Sequence, residues 1–196
     1  ESSPDQALQR IESAQEMLER ICGITQDLKW FIQLSDEQQT LSPQAVIEQT
    51  VRLAHHRIGH SCSININIKD NPSVQISENH LSQVLINLLF NAAEAKSEDK
   101  ERVSIEIDAF VEDSNLCVKV NDDGVGIPLD LKDKIFEPFF TANKIEGTGL
   151  GLAICHSLID RAGGTIELEE TPVRGSCFVL QIPLLKGPFQ IAQPSS

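Results

Sequence analysis

The sequence predicts an α+β domain, a two-layer α/β sandwich in which helices cover one face of a mixed, mainly antiparallel sheet. The segment Ser63–Ile68 alternates strictly between polar and apolar residues, as a half-buried strand does. Later segments alternate in the same way, and the stretches between them carry apolar residues at helical spacing. A long N-terminal helix is predicted ahead of this sandwich.

That first helix is predicted over Asp5–Leu34. Its apolar residues recur at heptad spacing, as Ile11 and Leu18 do, and form a stripe wider than a coiled-coil seam. One helix cannot bury such a stripe alone, so we expect it to pack in a bundle. In this chain the stripe should either fold back or self-associate, and in the parent protein we expect a homodimer through this helix. Because the 196-residue chain opens without methionine, we expect it to be a piece of a longer polypeptide.

The remaining elements are predicted from caps, alternation and glycine breaks. Ser42 before Pro43 is typical of a helix start, and Gly163-Gly164 ends the last helix. The series is a helix from Pro43 that carries Val46, Ile47, Val51, Leu53 and Ala54, a strand over Ser63–Ile68, a helix from Ser77 to about Lys96, a hairpin of Val103–Ala109 and Leu116–Val120, a helix over Gly147–Ala162, and strands over Thr165–Glu169 and Cys177–Ile182. The predicted units are 1–42, a helix and linker; 43–185, the sandwich domain; and 186–196, a flexible tail.

Composition limits the classes of partner and the compartment. Sixteen basic and 29 acidic residues give a net charge of −13, which argues against nucleic acid as a partner. A polyanionic ligand would therefore have to be held by local groups. The five cysteines are scattered and form no C-x-x-C pair, so we expect buried thiols and a cytoplasmic location.

Polar residues form one stripe on an otherwise apolar helix. Gln83, Asn87, Asn91 and Glu94 follow one another at steps of four, four and three. Asn87 and Asn91 are one turn apart, so both carboxamides can face the same cavity. A carboxamide oxygen is a hard neutral ligand that suits Mg²⁺. The alternative is a helix edge whose asparagines are merely solvated.

The strand that ends near Val120 runs into an acidic, glycine-rich turn, Asp122–Gly126. Glycine permits positive φ and close approach of a ligand to the backbone, and a fixed carboxylate can accept a hydrogen bond from the amine of adenine. The alternatives are a plain acidic turn or a calcium loop, and the calcium loop lacks the ligand spacing of an EF-hand.

A second glycine-rich segment, Gly147-Thr-Gly149-Leu-Gly151, leads into a predicted helix. Backbone N–H groups bared by glycines at a helix N-terminus can bind an anion, and phosphate is the natural one. The segment matches neither the Walker A loop nor the dinucleotide G-x-G-x-x-G pattern.

Together these motifs resemble the catalytic ATP-binding domain of sensor histidine kinases, a branch of the gyrase, Hsp90 and MutL ATPases with the Bergerat-type ATP-binding fold. The matching motifs are Asn87–Asn91 (N box), Asp122–Gly126 (first glycine box), Phe136–Phe140 (F box), Gly147–Gly151 (second glycine box), and Arg174–Phe178 with Ile182-Pro183 (closing strands). The resemblance covers about Gln44–Pro183.

The resemblance implies ATP and Mg²⁺ as ligands. Asn91 would bind Mg²⁺, Asp122 would bind the adenine amine, and Lys144 would be the best cation of the lid for the phosphates. Lys144 stands three places after Thr141, whereas the related kinases with a T-T-K lid have the lysine two places after the threonine. The implied catalytic residues are Asn87, Asn91 and Lys144. The implied nucleotide contacts are Asn91, Ala95, Asp122, Gly124, Gly126, Ile127, Phe139, Lys144, Gly147, Thr148, Gly149, Leu150, Gly151 and Ser176.

The resemblance also implies a mobile lid over the nucleotide. It would extend over Ile127–Glu146, and Phe136, Phe139 and Phe140 would pin it. Asn87 stands where the hydrolysing branch of the fold carries a glutamate. Since an amide cannot take a proton from water, this favours phosphoryl transfer over fast ATP hydrolysis. Asn87 could instead share the metal or its waters.

The implied function is transfer of the γ-phosphoryl group of Mg-ATP to a histidine and then to a response regulator receiver domain. The family's phosphorylated histidine lies on the first helix of a two-helix hairpin, and none of the five histidines matches it. Asp5–Leu34 resembles the second helix of that hairpin, so the acceptor is expected on a first helix that this chain lacks. The chain itself is expected in the cytoplasm, either on its own or as the cytoplasmic part of a membrane-anchored sensor. The alternatives are a nucleotide-binding interaction module without kinase activity and a gyrase-like ATPase.

Overall fold

A computed structural model of the chain describes residues 40–97, 99–141, 148–171 and 174–185, together with Arg10 and Met17. The helices are α1 (Pro43–Ile58), α2 (Glu78–Glu94) and α3 (Gly151–Arg161), and the strands are β1 (Thr40–Leu41), β2 (Cys62–Ile68), β3 (Val74–Gln75), β4 (Val103–Glu112), β5 (Asn115–Asp122), β6 (Thr165–Glu169) and β7 (Ser176–Pro183). Short 3₁₀ turns at Leu129–Leu131 and Lys134–Phe136 lie between β5 and α3.

One five-stranded sheet organises the domain, in the order β2-β4-β5-β7-β6. The β2 strand runs parallel to β4, and the other neighbouring strands are antiparallel. The β1 and β3 strands pair separately as a two-stranded sheet. The predicted mixed, mainly antiparallel sheet is confirmed.

The core lies between the three helices and one face of the sheet, which confirms the predicted two-layer arrangement. Ile105 and Ile107 of β4 are fully buried, as are Leu85 and Leu89 of α2. One apolar residue of the predicted helix lies outside this core, because Leu53 of α1 is 55% exposed. At about 100° per residue, the helix that buries Val51 and Ala54 turns Leu53 away from the sheet.

Two local details follow from positive φ angles. Asp113 and Ser114, both with positive φ, form a two-residue turn that joins β4 and β5 as the predicted hairpin. The helix predicted to start at Gly147 starts at Gly151 instead. Gly149 has a φ of 68°, which no residue of a right-handed helix adopts, so the glycine-rich segment precedes the helix.

Several predictions fall on residues that the structure leaves undescribed. The N-terminal helix lies outside the described residues apart from Arg10 and Met17, and the tail from Lys186 lies outside them entirely. The divisions at residues 42 and 185 stay predictions. Cys62, Cys117, Cys155 and Cys177 are buried and unbridged, as expected. None of the described helices is both long and apolar enough to span a membrane.

Candidate functional site

A cleft of about 530 Å³ opens between α2, the turn after β5, the segment that follows it, and the start of α3. These elements are distant in sequence, and the sheet and the helix packing bring them together. The predicted site residues that line the cleft are Asn87, Asn91, Ala95, Asp122, Gly126, Ile127, Thr148, Gly149, Gly151 and Ser176. We call the part around Asp122, Gly126 and Ser176 the turn end, and the part around Asn87, Asn91 and Gly151 the helix end.

Backbone contacts build the turn end. The N–H of Gly124 donates to Asp122 Oδ1 at 2.9 Å, and the N–H of Val125 donates to the carbonyl of Ala95 at 2.8 Å. These bonds tie the glycine turn to its own strand and to the end of α2. Gly124 packs against Ala95 so closely that it has no room for a side chain, and therefore supports the wall without lining the cleft.

Gly126 completes this wall. Its φ is +79°, and a Cβ placed on it would lie 2.8 Å from the carbonyl oxygen of Gly175. Both facts require glycine, since a side chain would be strained and would push the turn away from β7. The result is a wall of closely packed backbone against which a flat group can lie.

Asp122 is the carboxylate of the turn end. Burial raises its pKa, while hydrogen bonds from Gly124 and Ser176 partly offset that rise by stabilising the ionised form. Ser176 pairs with Asp122 across β5 and β7 and is 4% exposed. Asp122 is therefore a positioned, poorly solvated acceptor that a donor from a ligand would stabilise.

The neighbouring Asp123 has a different, structural environment. Its Oδ2 lies 2.7 Å from Lys100 Nζ, and its Oδ1 accepts the N–H of Ser104 at 2.8 Å. The hydrogen bond from Lys100 lowers the pKa of Asp123. Asp123 thus fastens the turn to the start of β4 and does not line the cleft.

Side chains build the helix end. Asn87 Oδ1 accepts a hydrogen bond from Gln83 Nε2 at 3.1 Å, and Asn87 Nδ2 donates to the carbonyl of Gly151 at 3.2 Å. Asn87 Nδ2 also lies 3.6 Å from Cys155 Sγ. Asn87 therefore links α2 to the first turn of α3, and its oxygen is already bonded within its own helix.

The glycine segment before α3 is stabilised by its own contacts. Thr148 Oγ1 accepts the N–H of Leu150 at 3.2 Å. The carbonyl of Gly149 accepts the N–H of Phe139 at 2.9 Å, so the segment is joined to the F box. Leu150 packs on the core beneath the segment rather than lining the cleft.

Phe139 differs from expectation. Phe136 and Phe140 pack against the core, but Phe139 has a φ of 66°, is 75% exposed and does not line the cleft. The left-handed turn directs the Phe139 side chain into solvent, so of the three phenylalanines expected to pin a lid only Phe136 and Phe140 contact the core. Lys144 and Gly147 lie outside the described residues.

The residues of the cleft fit a magnesium ion only in part. Within the described ranges no group of three or more His, Cys, Asp and Glu side chains could hold a metal. Asn91 lines the cleft with a neutral amide, which suits an ion that takes its other ligands from phosphate and water. The donor set therefore fits Mg²⁺ that arrives with a polyphosphate.

Sequence reasoning missed further residues of the cleft. Arg57 of α1 and Phe90 of α2 line it, and the Arg57 guanidinium carbon lies 4.8 Å from the centre of the Phe90 ring. No motif marks Arg57, because its place in the cleft comes from the packing of α1 on α2.

Comparisons with known proteins show what the chain is similar to. A family model described as histidine kinase-, DNA gyrase B- and HSP90-like ATPase matches residues 76–186. The sensor histidine kinase ZraS of Escherichia coli strain K12 is 39% identical over 113 residues, which are 58% of this chain and 23% of that protein. The chain spans about a quarter of the length of the curated relatives it matches.

Solved structures are similar as well. The catalytic domain of histidine kinase ThkA, in a nucleotide-free form, has a TM-score of 0.68 and 33% identity, with 76% of this chain and 97% of that chain covered. Histidine kinase ThkA in complex with response regulator protein TrrA has a TM-score of 0.72 and 28% identity, with 94% of this chain and 53% of that chain covered.

Proposed function

Since the chain belongs to the histidine kinase-, DNA gyrase B- and HSP90-like ATPases, and its domain is the ATP-binding domain of a sensor histidine kinase, we propose that its cleft binds Mg-ATP and presents the γ-phosphoryl group to a histidine. The acceptor histidine lies on a segment other than this domain. A response regulator receiver domain is the proposed final acceptor, by analogy with the complex of ThkA and TrrA.

One observation carries the proposal. Asn91 from α2, Asp122 from the end of β5 and Gly151 at the start of α3 line the same cleft, although they are far apart in sequence. A half-buried carboxylate suits an amine donor on a base, and helix N-terminal amides suit phosphate. A ligand with a base at one end and phosphates at the other matches the turn end and the helix end together.

Each residue has a proposed role. Asp122 accepts from the adenine amine, and the wall of Gly126 with Ser176 orients the base. Asn91 holds the metal ion, which when bound offsets phosphate charge, and the amides before α3 orient the phosphates. Asn87 holds α3 against α2, so that these amides stay aligned with Asn91.

Asn87 also argues against fast hydrolysis. Its amide can neither take a proton from water nor easily turn, because Gln83 and Gly151 occupy both of its ends. The attacking nucleophile must therefore come from another segment and must react without a base from Asn87, as a neutral histidine side chain can.

Nucleotide calorimetry tests the binding step. We expect ATP and ADP to bind in the presence of Mg²⁺ and GTP to bind much more weakly, because its base offers a carbonyl where Asp122 needs a donor. Equal affinity for ATP and GTP would contradict the assignment.

Incubation of the chain with labelled ATP and a separate histidine-bearing helical hairpin tests the transfer step. We expect the label on the histidine of the hairpin. Rapid release of phosphate without transfer would favour a gyrase-like ATPase.

A further inference from the structure

The proposed nucleotide cleft contains little positive charge. The chain carries a net charge of −13, and the cleft lining includes the carboxylates Asp122 and Glu94. In the part of the lining that the structure describes, Arg57 is the one lysine or arginine. A nucleoside diphosphate or triphosphate brings several negative charges into the cleft, and Arg57 is the one cationic side chain of the described lining that can offset them.

Arg57 is held in place by stacking. It lies in the last turn of α1, and its guanidinium sits over the ring of Phe90 at 4.8 Å. Stacking on an aromatic face fixes the plane of a guanidinium while its N–H edges stay available to acceptors. None of the ion pairs between described residues uses Arg57.

The stacking partner places Arg57 at the helix end. Phe90 directly precedes Asn91 on α2, and long side chains on a helix point back over the preceding turn, which here contains Asn87. Asn87 is bonded to Gly151 at the start of α3. Arg57 therefore stands on the side of the cleft where the amides of α3 and the carboxamide of Asn91 meet.

We propose that Arg57 binds the two outer phosphate groups of the nucleotide. Its planar fork of N–H donors matches phosphate oxygens, which a lysine ammonium does only as a point charge. The inference rests on the proposed function, since it assigns a further residue to the same site. A merely structural Arg57 would stack on Phe90 and stabilise the C-terminus of α1, with no dependence on the ligand.

Calorimetry with Mg-ATP, Mg-ADP and AMP separates these roles. For Arg57→Ala we expect the affinity for ATP to fall about tenfold, because a charge-assisted contact is lost. The affinity for ADP, which keeps only the β-phosphate of the two outer groups, should fall by a smaller factor, and the affinity for AMP should stay unchanged. Arg57→Lys should recover part of the loss. The matched control is Arg52→Ala, since Arg52 is an exposed arginine of α1 that does not line the cleft, and all three affinities should stay at the wild-type level.

A second variant tests the role of Arg57 without changing Arg57 itself. Phe90→Leu removes the stacking ring but keeps an apolar side chain, and it should weaken ATP binding by a smaller factor than Arg57→Ala. Equal loss for ATP and AMP, or no loss for either, in folded Arg57→Ala would overturn the role of Arg57. Failure of the wild-type chain to bind any of the three nucleotides would instead overturn the proposed function.

Discussion

The two ends of the cleft are built differently. At the turn end, backbone bonds and glycines without room for a Cβ hold a single carboxylate in place, as Gly124 and Gly126 show. At the helix end, side chains from different elements meet, with Asn87 reaching from α2 to the carbonyl of Gly151. The turn end is thus a preformed surface, whereas the helix end depends on how α2 and α3 sit relative to each other. We expect base recognition to be rigid and phosphate recognition to be adjustable.

The largest expected effect tests the helix end. Asn91→Ala should lower phosphoryl transfer to a supplied histidine hairpin by about 100-fold, because the lost amide serves a metal ion. The melting temperature without nucleotide should hardly change. Asn65→Ala, on the exposed side of β2, is the matched control and should leave transfer intact. A large fall in melting temperature for Asn91→Ala would mean that this asparagine is structural.

The next effect tests the turn end by contrasting two adjacent carboxylates. Asp122→Asn should weaken ATP binding roughly tenfold to a hundredfold, because an amide can present a donor where the adenine amine needs an acceptor. Asp123→Asn should leave affinity nearly unchanged but lower stability, since it weakens the tie to Lys100. Similar losses of affinity in both variants, measured by calorimetry, would remove the distinction between them.

The same pair gives opposite pH dependences of stability. Because burial raises the folded-state pKa of Asp122, its favourable contribution is full below the unfolded-state pKa and is lost as pH rises through the folded-state pKa. Asp122→Asn should therefore gain stability relative to wild type as pH rises. Lys100 lowers the pKa of Asp123, so the stability it contributes is present above the unfolded-state pKa and is lost as pH falls. Thermal melts of both variants without nucleotide between about pH 3 and 7 would check these signs, and parallel curves would contradict them.

A smaller effect concerns the link between α2 and α3. Asn87→Ala should cost about 1 kcal/mol of unfolding free energy, because it leaves the carbonyl of Gly151 without this donor. Gln83→Ala removes the donor to Asn87 but leaves its bond to Gly151, so it should cost less. Denaturant melts measure both changes. A greater loss in Gln83→Ala than in Asn87→Ala would show that the link lies elsewhere.

The sequence predicts the residues of the cleft that a local motif marks, but not the contacts that come from distant segments. The residues Asp122, Gly124 and Gly126 could be named because one short segment carries both the carboxylate and the glycines. The structural role of Asp123 could not be predicted, since it depends on Lys100 and Ser104, which the pairing of distant segments brings to Asp123. The place of Arg57 in the cleft could not be predicted for the same reason, because it depends on the contact of Arg57 with Phe90 on a different helix.

The fold class can be predicted from the sequence because alternation and helical spacing are local patterns. The directions of the strands agree with the predicted mixed, mainly antiparallel sheet. The predicted start of α3 at Gly147 is four residues earlier than the observed start at Gly151. The sequence pattern does not show that Gly149 has a positive φ, which prevents a helix there. Exposure of Phe139 was equally hidden, since a positive φ at a non-glycine residue leaves no mark in composition.

The smallest expected effect compares two single amides, one from each end of the cleft. The N–H of Val125 donates to Ala95 at the turn end, and the N–H of Phe139 donates to Gly149 beside the helix end. If the turn end is preformed, exchange of the Val125 amide with deuterium should be slow with or without Mg-ATP. Phosphates bound at the segment before α3 should stabilise the position of Gly149. They should therefore slow exchange of the Phe139 amide by several-fold, about 1 kcal/mol of added protection.

Residue-resolved hydrogen exchange measures both amides in one experiment. Equal slowing at both would mean that the whole cleft orders on binding, and no change at Phe139 would mean that the F box does not respond to phosphate.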